Sequence, residues 1–230
     1  MTLERRLEPE VMDSVDDARE YNDMDHSEVN QLFVADLLEF AQQQLEAVDE
    51  EFRLGDVLDL GTGTAMIPVE LCKQHQDCRV MAIDMAVSML ELAVYNVEAA
   101  GIPDRITLQQ IDAKQMPFED EMFDVTMSNS IIHHLPEPQG CLQEIKRVTR
   151  DGGLIFVRDL MRPESAEVVS QLVQTYAGGE SEYSQRLFED SLHAALSLDE
   201  IKSLVEQAGF DPASVSATSD RHWTWAAVVE

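Results

Sequence analysis

The nine residues Val57 to Ala65, VLDLGTGTA, constrain this chain more than any other stretch. Val57, Leu58 and Leu60 surround Asp59 and run into Gly61 and Gly63, the pattern of a buried strand that ends in a tight turn. The apolar run from Met66 to Leu71 then places a helix directly after the turn. Glycine lets the main chain turn sharply and lets a ligand approach bare backbone. Amides at the start of the following helix point outward and hold the polar end of a nucleotide-like molecule. The loop by itself predicts a strand–turn–helix unit with a ligand at the turn, and leaves the ligand open.

Alternation of strand and helix continues from there. Strands are predicted over 56–60, 79–83, 106–111, 123–128 and 154–158, with helices over 64–75, 86–100 and 139–149 between them. Gly101-Ile102-Pro103 stops the second helix, and Asp151-Gly152-Gly153 reads as the turn before the fifth strand. Repeated units of this kind give an α/β, Rossmann-like doubly wound sheet that is mostly parallel. Right-handed crossovers then bring ligand sites to the carboxyl ends of the strands. Asp59 with Gly61, Asp84, Asp112, Asn129 and Asp159 all fall at such ends. Ahead of this core, residues 1–50 read as a helical cap, with apolar positions at helical spacing from Glu28 to Val48 and Ser27 as N-cap. After it, 161–196 reads as a helical insertion, and 197–230 as a helix capped by Ser197 followed by a strand pair. The whole is expected to be one domain, with 51–160 as its cofactor-binding core.

Charge narrows the partners. Forty-five acidic against sixteen basic side chains leave a formal net charge of −29. Such a field repels nucleic-acid backbones and anionic membranes. Salt adaptation is one explanation of the acidity, and solubility alone is the plainer one. No run approaches membrane-spanning length, so no membrane insertion is expected. Cys72, Cys78 and Cys141 are odd in number and lack a C-x-x-C spacing, which suits buried thiols in a reducing cytoplasm better than a disulfide framework or a zinc site.

The same charge argument bears on the ligand. A dinucleotide fingerprint wants a third glycine where this chain has Met66. Asp59, Asp84 and Asp112 are expected to crowd one pocket, which disfavours a pyrophosphate and suits a sulfonium with an ammonium group. Asp84 lies about twenty residues past the loop, where an acid can bind both ribose hydroxyls. Asp112 with the small Ala113 leaves room for an adenine ring. These acids favour S-adenosylmethionine over NAD.

Taken in series, VLDLGTGTA, AIDMAVSML, IDAKQMPF, FDVTMSNSIIHHL and DGGLIF resemble the successive motifs of class I S-adenosylmethionine-dependent methyltransferases. The resemblance is nearest to the small-molecule branch that includes the ubiquinone and menaquinone C-methyltransferases. It covers residues 54–160 well and the terminal strands loosely. It implies a seven-stranded sheet whose last strand is antiparallel, formed by the C-terminal hairpin. It also implies methyl transfer to a small-molecule acceptor, with S-adenosylhomocysteine as product. By motif, Asp59, Gly61, Thr62 and Gly63 hold the methionine end, Asp84 and Met85 the ribose side, Asp112 and Ala113 the adenine, and Asn129 the floor. The family often has a third glycine where Ala65 stands, read here as a mild change. Two alternatives are carried beside this reading: a protein that binds the cofactor without chemistry, and an NAD-type oxidoreductase.

No residue declares itself as a base. Tyr21, His26, His133 and Arg158 are candidates by position. Adjacent residues in extended or loop backbone point apart, so His133 and His134 are not expected to face one ion, and no metal site is read. Arg158, Asp159 and Arg162 form either a salt-bridged corner or a substrate anion site. Trp223 and Trp225 are expected on the last strand with one of them facing the core. The N-terminal cap and the 161–196 insertion are expected to close over the strand ends as a lid.

Overall fold

The computed structural model describes residues 3–11, 13–14, 18–19, 22, 26–47 and 53–230. Its elements run α1 (Ser27–Ala47), β1 (Gly55–Leu60), α2 (Met66–Gln74), β2 (Cys78–Asp84), α3 (Val87–Ala99), β3 (Ile106–Gln110) and β4 (Phe123–Asn129). They continue as α4 (Gln139–Val148), β5 (Thr149–Leu160), α5 (Ala166–Ala177), α6 (Glu182–Ala194), α7 (Leu198–Gln207), β6 (Val215–Ala217) and β7 (His222–Val228). A seven-stranded sheet has the order β3-β2-β1-β4-β5-β7-β6. β1 pairs in parallel with β2 and β4, β2 with β3, and β6 with β7 is the antiparallel hairpin. The chain steps outward from β1 to β3 and then returns to the other side of β1. The crevice beyond the carboxyl ends of β1 and β4 is therefore the switch point where open α/β sheets take ligands.

The chain resolves into two compact units. One comprises Val11–Asn129, Gly140–Val157 and Ala226–Glu230. Its core sets Val57, Val80, Val125 and Phe156 of the sheet against Val69 and Leu71 of α2 and Phe33, Val34 and Leu37 of α1. The Phe33 and Phe156 rings meet edge to face at 5.3 Å, a contact favoured by the ring quadrupole beyond its burial. The 3.6-residue spacing of apolar positions in α1 is what lays that helix on the sheet.

The other unit comprises Met1–Glu10, Ser130–Gln139 and Arg158–Trp225. Leu160, Val169, Leu172, Leu192 and Ala195 make its apolar cluster. Ser197 caps α7 with a reciprocal capping box, its hydroxyl accepting from Glu200 N–H while the Glu200 carboxylate accepts from Ser197 N–H. Residues 1–50 are thus shared between the units, residues 3–10 belonging to this one and α1 to the first.

Three expectations are corrected. β5 begins at Thr149, five residues early, because Asp151-Gly152-Gly153 lies inside the strand, with Gly152 at φ 73°. α1 includes Ser27, so that residue starts the helix rather than preceding it. Trp223 and Trp225 are both fully buried: residues two apart on a strand share a face, and this face packs inward, with Phe210 edge-on to Trp225 at 5.2 Å.

Candidate functional site

Asp59 is the penultimate residue of β1, flanked in register by Ala82 of β2 and Met127 of β4, and is buried. The strand then breaks into Gly61 and Gly63, with φ of 65° and 54°, conformations that side chains with a Cβ resist. The Thr62 N–H donates to the Ile83 carbonyl (2.9 Å) and the Ala65 N–H to the Thr62 carbonyl (2.9 Å), which locks the turn. Ala65 also sits at φ 60°, ψ 25°, left-handed, immediately before α2. The third glycine of related loops therefore has a backbone reason, and alanine at this place carries strain of about 1–2 kcal/mol rather than being neutral.

A cavity opens over this turn. Asp59, Gly61, Thr62, Gly63, Thr64, Met66, Ile67 and Asn129 line it from the sheet and α2. Asn22, His26, Ser27 and Asn30 line it from the N-terminal segment and the first turn of α1. The sequence offers His26 only as a positional base candidate and Ser27 only as a helix cap, and it does not single out Asn22 or Asn30. Ser27 and Asn30 are three apart on one helix face, a polar pair at the head of an otherwise apolar stripe, and that spacing was the available signal. Asn96 ties the wall together, its amide donating to Asn22 Oδ1 and to the Thr64 carbonyl, each at 2.9 Å.

The acids part company here. Asp59 Oδ2 is buried with no hydrogen-bond partner among the described residues. Burial drives its carboxyl up to about 7, with the Thr62 hydroxyl opposing and the Asp84 charge adding to the rise. Asp84 ends β2 and accepts from the Gly63 N–H (2.8 Å) and the Ala86 N–H (2.9 Å), so it braces the glycine loop. Burial raises its carboxyl as well, against those amides. Asp112 does not line the cavity. It is held by its own turn, accepting from the Lys114 N–H (2.9 Å) and pairing with Lys114 Nζ (3.1 Å). Ala113 is buried and Met85 is exposed, and neither lines the cavity. Asp84 does not line the cavity either: of the three acids expected to crowd it, Asp59 alone does, with Asp84 bonded to the glycine loop and near enough for its charge to raise the Asp59 carboxyl.

In the second unit, His133 sits in a short 3-10 turn, Ile132–His134. Its Nδ1 lies 2.5 Å from Asp159 Oδ1 and its Nε2 lies 3.3 Å from Glu8 Oε1. Asp159 also accepts from the N–H groups of Ile132 (2.5 Å), His133 (3.3 Å) and Leu160 (2.6 Å). Burial opposes charge on His133, yet Asp159 and then Glu8 outweigh it and raise the imidazole above its ordinary value. Asp159 is correspondingly held low against its burial. Burial raises Glu8, and burial beside His133 pushes His134 down to about 4. Because the backbone is a tight turn and not extended, the two imidazoles lie side by side, ring centroids 4.2 Å apart, contrary to expectation.

Of the other candidates for proton transfer, Tyr21 lies outside the described residues. Arg158 is buried and donates from Nε to Thr224 Oγ1 (3.0 Å). Arg162 donates to Glu200 Oε1 (2.6 Å) and to the Ala195 carbonyl, the corner that the motif VRDLMRP allowed.

A family model described as a methyltransferase domain matches residues 52–209. This chain belongs to that family. A 27-O-demethylrifamycin SV methyltransferase of Amycolatopsis mediterranei is 29% identical over 181 residues, 76% of this chain and 62% of that protein. A demethylmenaquinone methyltransferase of Lactiplantibacillus plantarum is 30% identical over 166 residues, 67% of this chain and 69% of its own length. The chain thus spans less than two thirds of the rifamycin-modifying relative's length. The fold of this methyltransferase-domain protein is similar to the crystal structure of a SAM-dependent methyltransferase from Aquifex aeolicus, with a TM-score of 0.63 and 18% identity over 94% of this chain and 99% of that one.

Proposed function

We propose that this chain transfers a methyl group from S-adenosylmethionine to a small-molecule acceptor by in-line displacement. The observation that carries this reading is Asp59: a buried carboxylate oxygen without a partner, in a cavity floored by a glycine turn and the start of a helix. Such an oxygen is costly in an empty pocket and favourable beside a cation. An ammonium group supplies that charge; a pyrophosphate does not. The relatives' named acceptors, demethylrifamycin and demethylmenaquinone, support a small organic acceptor.

When bound, the cofactor supplies a methyl group already activated by its sulfonium. The chain's own part is to hold and orient. Gly61, Thr62, Gly63 and the first amides of α2 hold the methionine end, and Asp59 balances its ammonium. Asp84 has about four lone-pair sites and uses two on amides, leaving the others for ribose hydroxyls. Asn129 forms the floor, and Asp112 with Ala113 is assigned the adenine by motif. The Ser27–Asn30 turn of α1 closes the cavity from above the loop and excludes water. Orientation of this kind supplies several kcal/mol of barrier reduction. A base is required only for an acceptor that must lose a proton. Three free, buried thiols support a reducing, cytoplasmic setting.

Calorimetry with S-adenosylhomocysteine and with NAD tests the reading. Saturable one-to-one binding of the first and none of the second is expected. The reverse would replace methyl transfer by redox chemistry.

A further inference from the structure

From the second unit we infer that Glu8, His133 and His134 form a binding site for a divalent transition-metal ion of the zinc class. One ligand atom from each lies within 4.8 Å of the others. Glu8 Oε1 stands 3.3 Å from His133 Nε2 and 3.2 Å from His134 Nδ1. Charge-assisted N–H···O bonds are shorter, about 2.7–2.9 Å. A tetrahedron with metal bonds of about 2.0–2.1 Å has ligand-to-ligand edges of about 3.3–3.4 Å, and the two separations lie within about 0.1 Å of that length.

The surrounding contacts fit a ligand set. His133 directs Nδ1 at Asp159, which fixes the ring and turns Nε2 toward the site, the carboxylate–histidine arrangement found behind bound metals. Ser191 Oγ donates to the Glu8 carboxylate (3.2 and 3.1 Å), holding it in place. His134 Nδ1 also lies 3.4 Å from the Pro9 carbonyl; with the metal in place its proton moves to Nε2. Burial grades across the three side chains, 4% exposed for His133, 8% for Glu8 and 17% for His134, so entry is from the His134 side. Two imidazoles and one carboxylate match zinc- and iron-type sites, with a coordination position left for water. A doubly charged ion takes the place of the Nε2 proton that a charged His133 directs at Glu8, while the Nδ1 proton stays with Asp159. The site does not depend on the cofactor cavity.

Untagged full-length protein, stripped with chelator and dialysed, is titrated with Co2+ and Zn2+. One equivalent of Co2+ should develop the strong visible absorption of a low-symmetry four- or five-coordinate ion, and one equivalent of Zn2+ should displace it. Glu8→Gln and His134→Gln, checked by circular dichroism for native folding, should lose affinity by at least about 100-fold, and Asp159→Asn by about 10–100-fold. Paramagnetically shifted resonances from two imidazoles in the wild-type cobalt protein test the ligand set without any variant. Absence of saturable binding, binding unaltered in Glu8→Gln and His134→Gln, or a cobalt protein without two shifted imidazoles would overturn the site in favour of a purely protonic network.

Discussion

Two carboxylates of similar burial have opposite circumstances. Asp59, 2% exposed, keeps one oxygen without a partner, and its proton is held up to about 7. Asp159, fully buried, accepts from three amides and an imidazole, and its carboxyl is held low against its burial. The same desolvation acts on both; only the partners differ. A charge already satisfied by its own chain stabilises structure. One left unsatisfied beside a glycine turn is a cost that a ligand can remove. The comparison assigns binding to the first and scaffolding to the second.

The largest expected effect comes from breaking the satisfied member. Asp159→Ala orphans three N–H groups and strands the His133 imidazole in a buried site. Urea unfolding should show a loss of about 3–5 kcal/mol, as for a buried pair deprived of one partner. A loss below about 1 kcal/mol would mean that Asp159 is no more committed than Asp59.

Removing the unsatisfied charge should act in the other sense. Because the folded-state carboxyl of Asp59 lies near 7 against an ordinary 3.8, the native protein holds an extra proton between those values. Its contribution is favourable below about pH 4 and is lost as pH rises to about 7. Asp59→Asn should therefore stabilise the ligand-free protein at pH 8 by up to about 4 kcal/mol, with the difference vanishing near pH 3. The same variant should bind S-adenosylhomocysteine at least tenfold more weakly, and wild-type affinity should fall as pH drops below about 7, since the ammonium favours the ionised form. Calorimetry across pH reads both. A variant that is destabilised at pH 8 would reverse the assignment.

Asp84 lies between the two extremes, since amides of the loop hold it but leave lone pairs open. Asp84→Ala should weaken S-adenosylhomocysteine by at least tenfold, about 1.4 kcal/mol, through lost ribose contacts and a loosened Gly63. Unaltered affinity would place the ribose elsewhere.

The sheet was legible because parallel strands read as apolar runs closed by a turn-forming polar residue or glycine: Val57–Leu60 by Gly61, Val80–Ile83 by Asp84 and Phe123–Ser128 by Asn129. The cavity was legible at its floor, where one loop carries Asp59 through Gly63, and less so at its roof, where an N-terminal cover is expected but Asn22 and Asn30 acquire meaning only when α1 packs on the sheet. Asp112 also has the second use that a strand-end acid permits, bonding its own turn and pairing with Lys114 two residues on. Glu8 was invisible: residues 1–10 carry no periodicity, and the histidines that face its carboxylate are remote in sequence.

The smallest effect sharpens the comparison from the backbone side. If the loop around Asp59 is set by left-handed main chain and not by side-chain pairing, then Ala65, buried at φ 60°, is a strained residue in a glycine's place. Relief of that strain favours Ala65→Gly by about 1–2 kcal/mol, while the greater freedom of glycine in the unfolded chain takes back about 0.5–1 kcal/mol. The net expectation is a gain of about 0.5–1 kcal/mol in urea unfolding, with S-adenosylhomocysteine affinity preserved because the amides of Gly63 and Thr64 keep their directions. A destabilised Ala65→Gly protein would show that the alanine methyl, packed in the core between α2 and the sheet, outweighs the dihedral strain, and that side-chain contacts shape this loop after all.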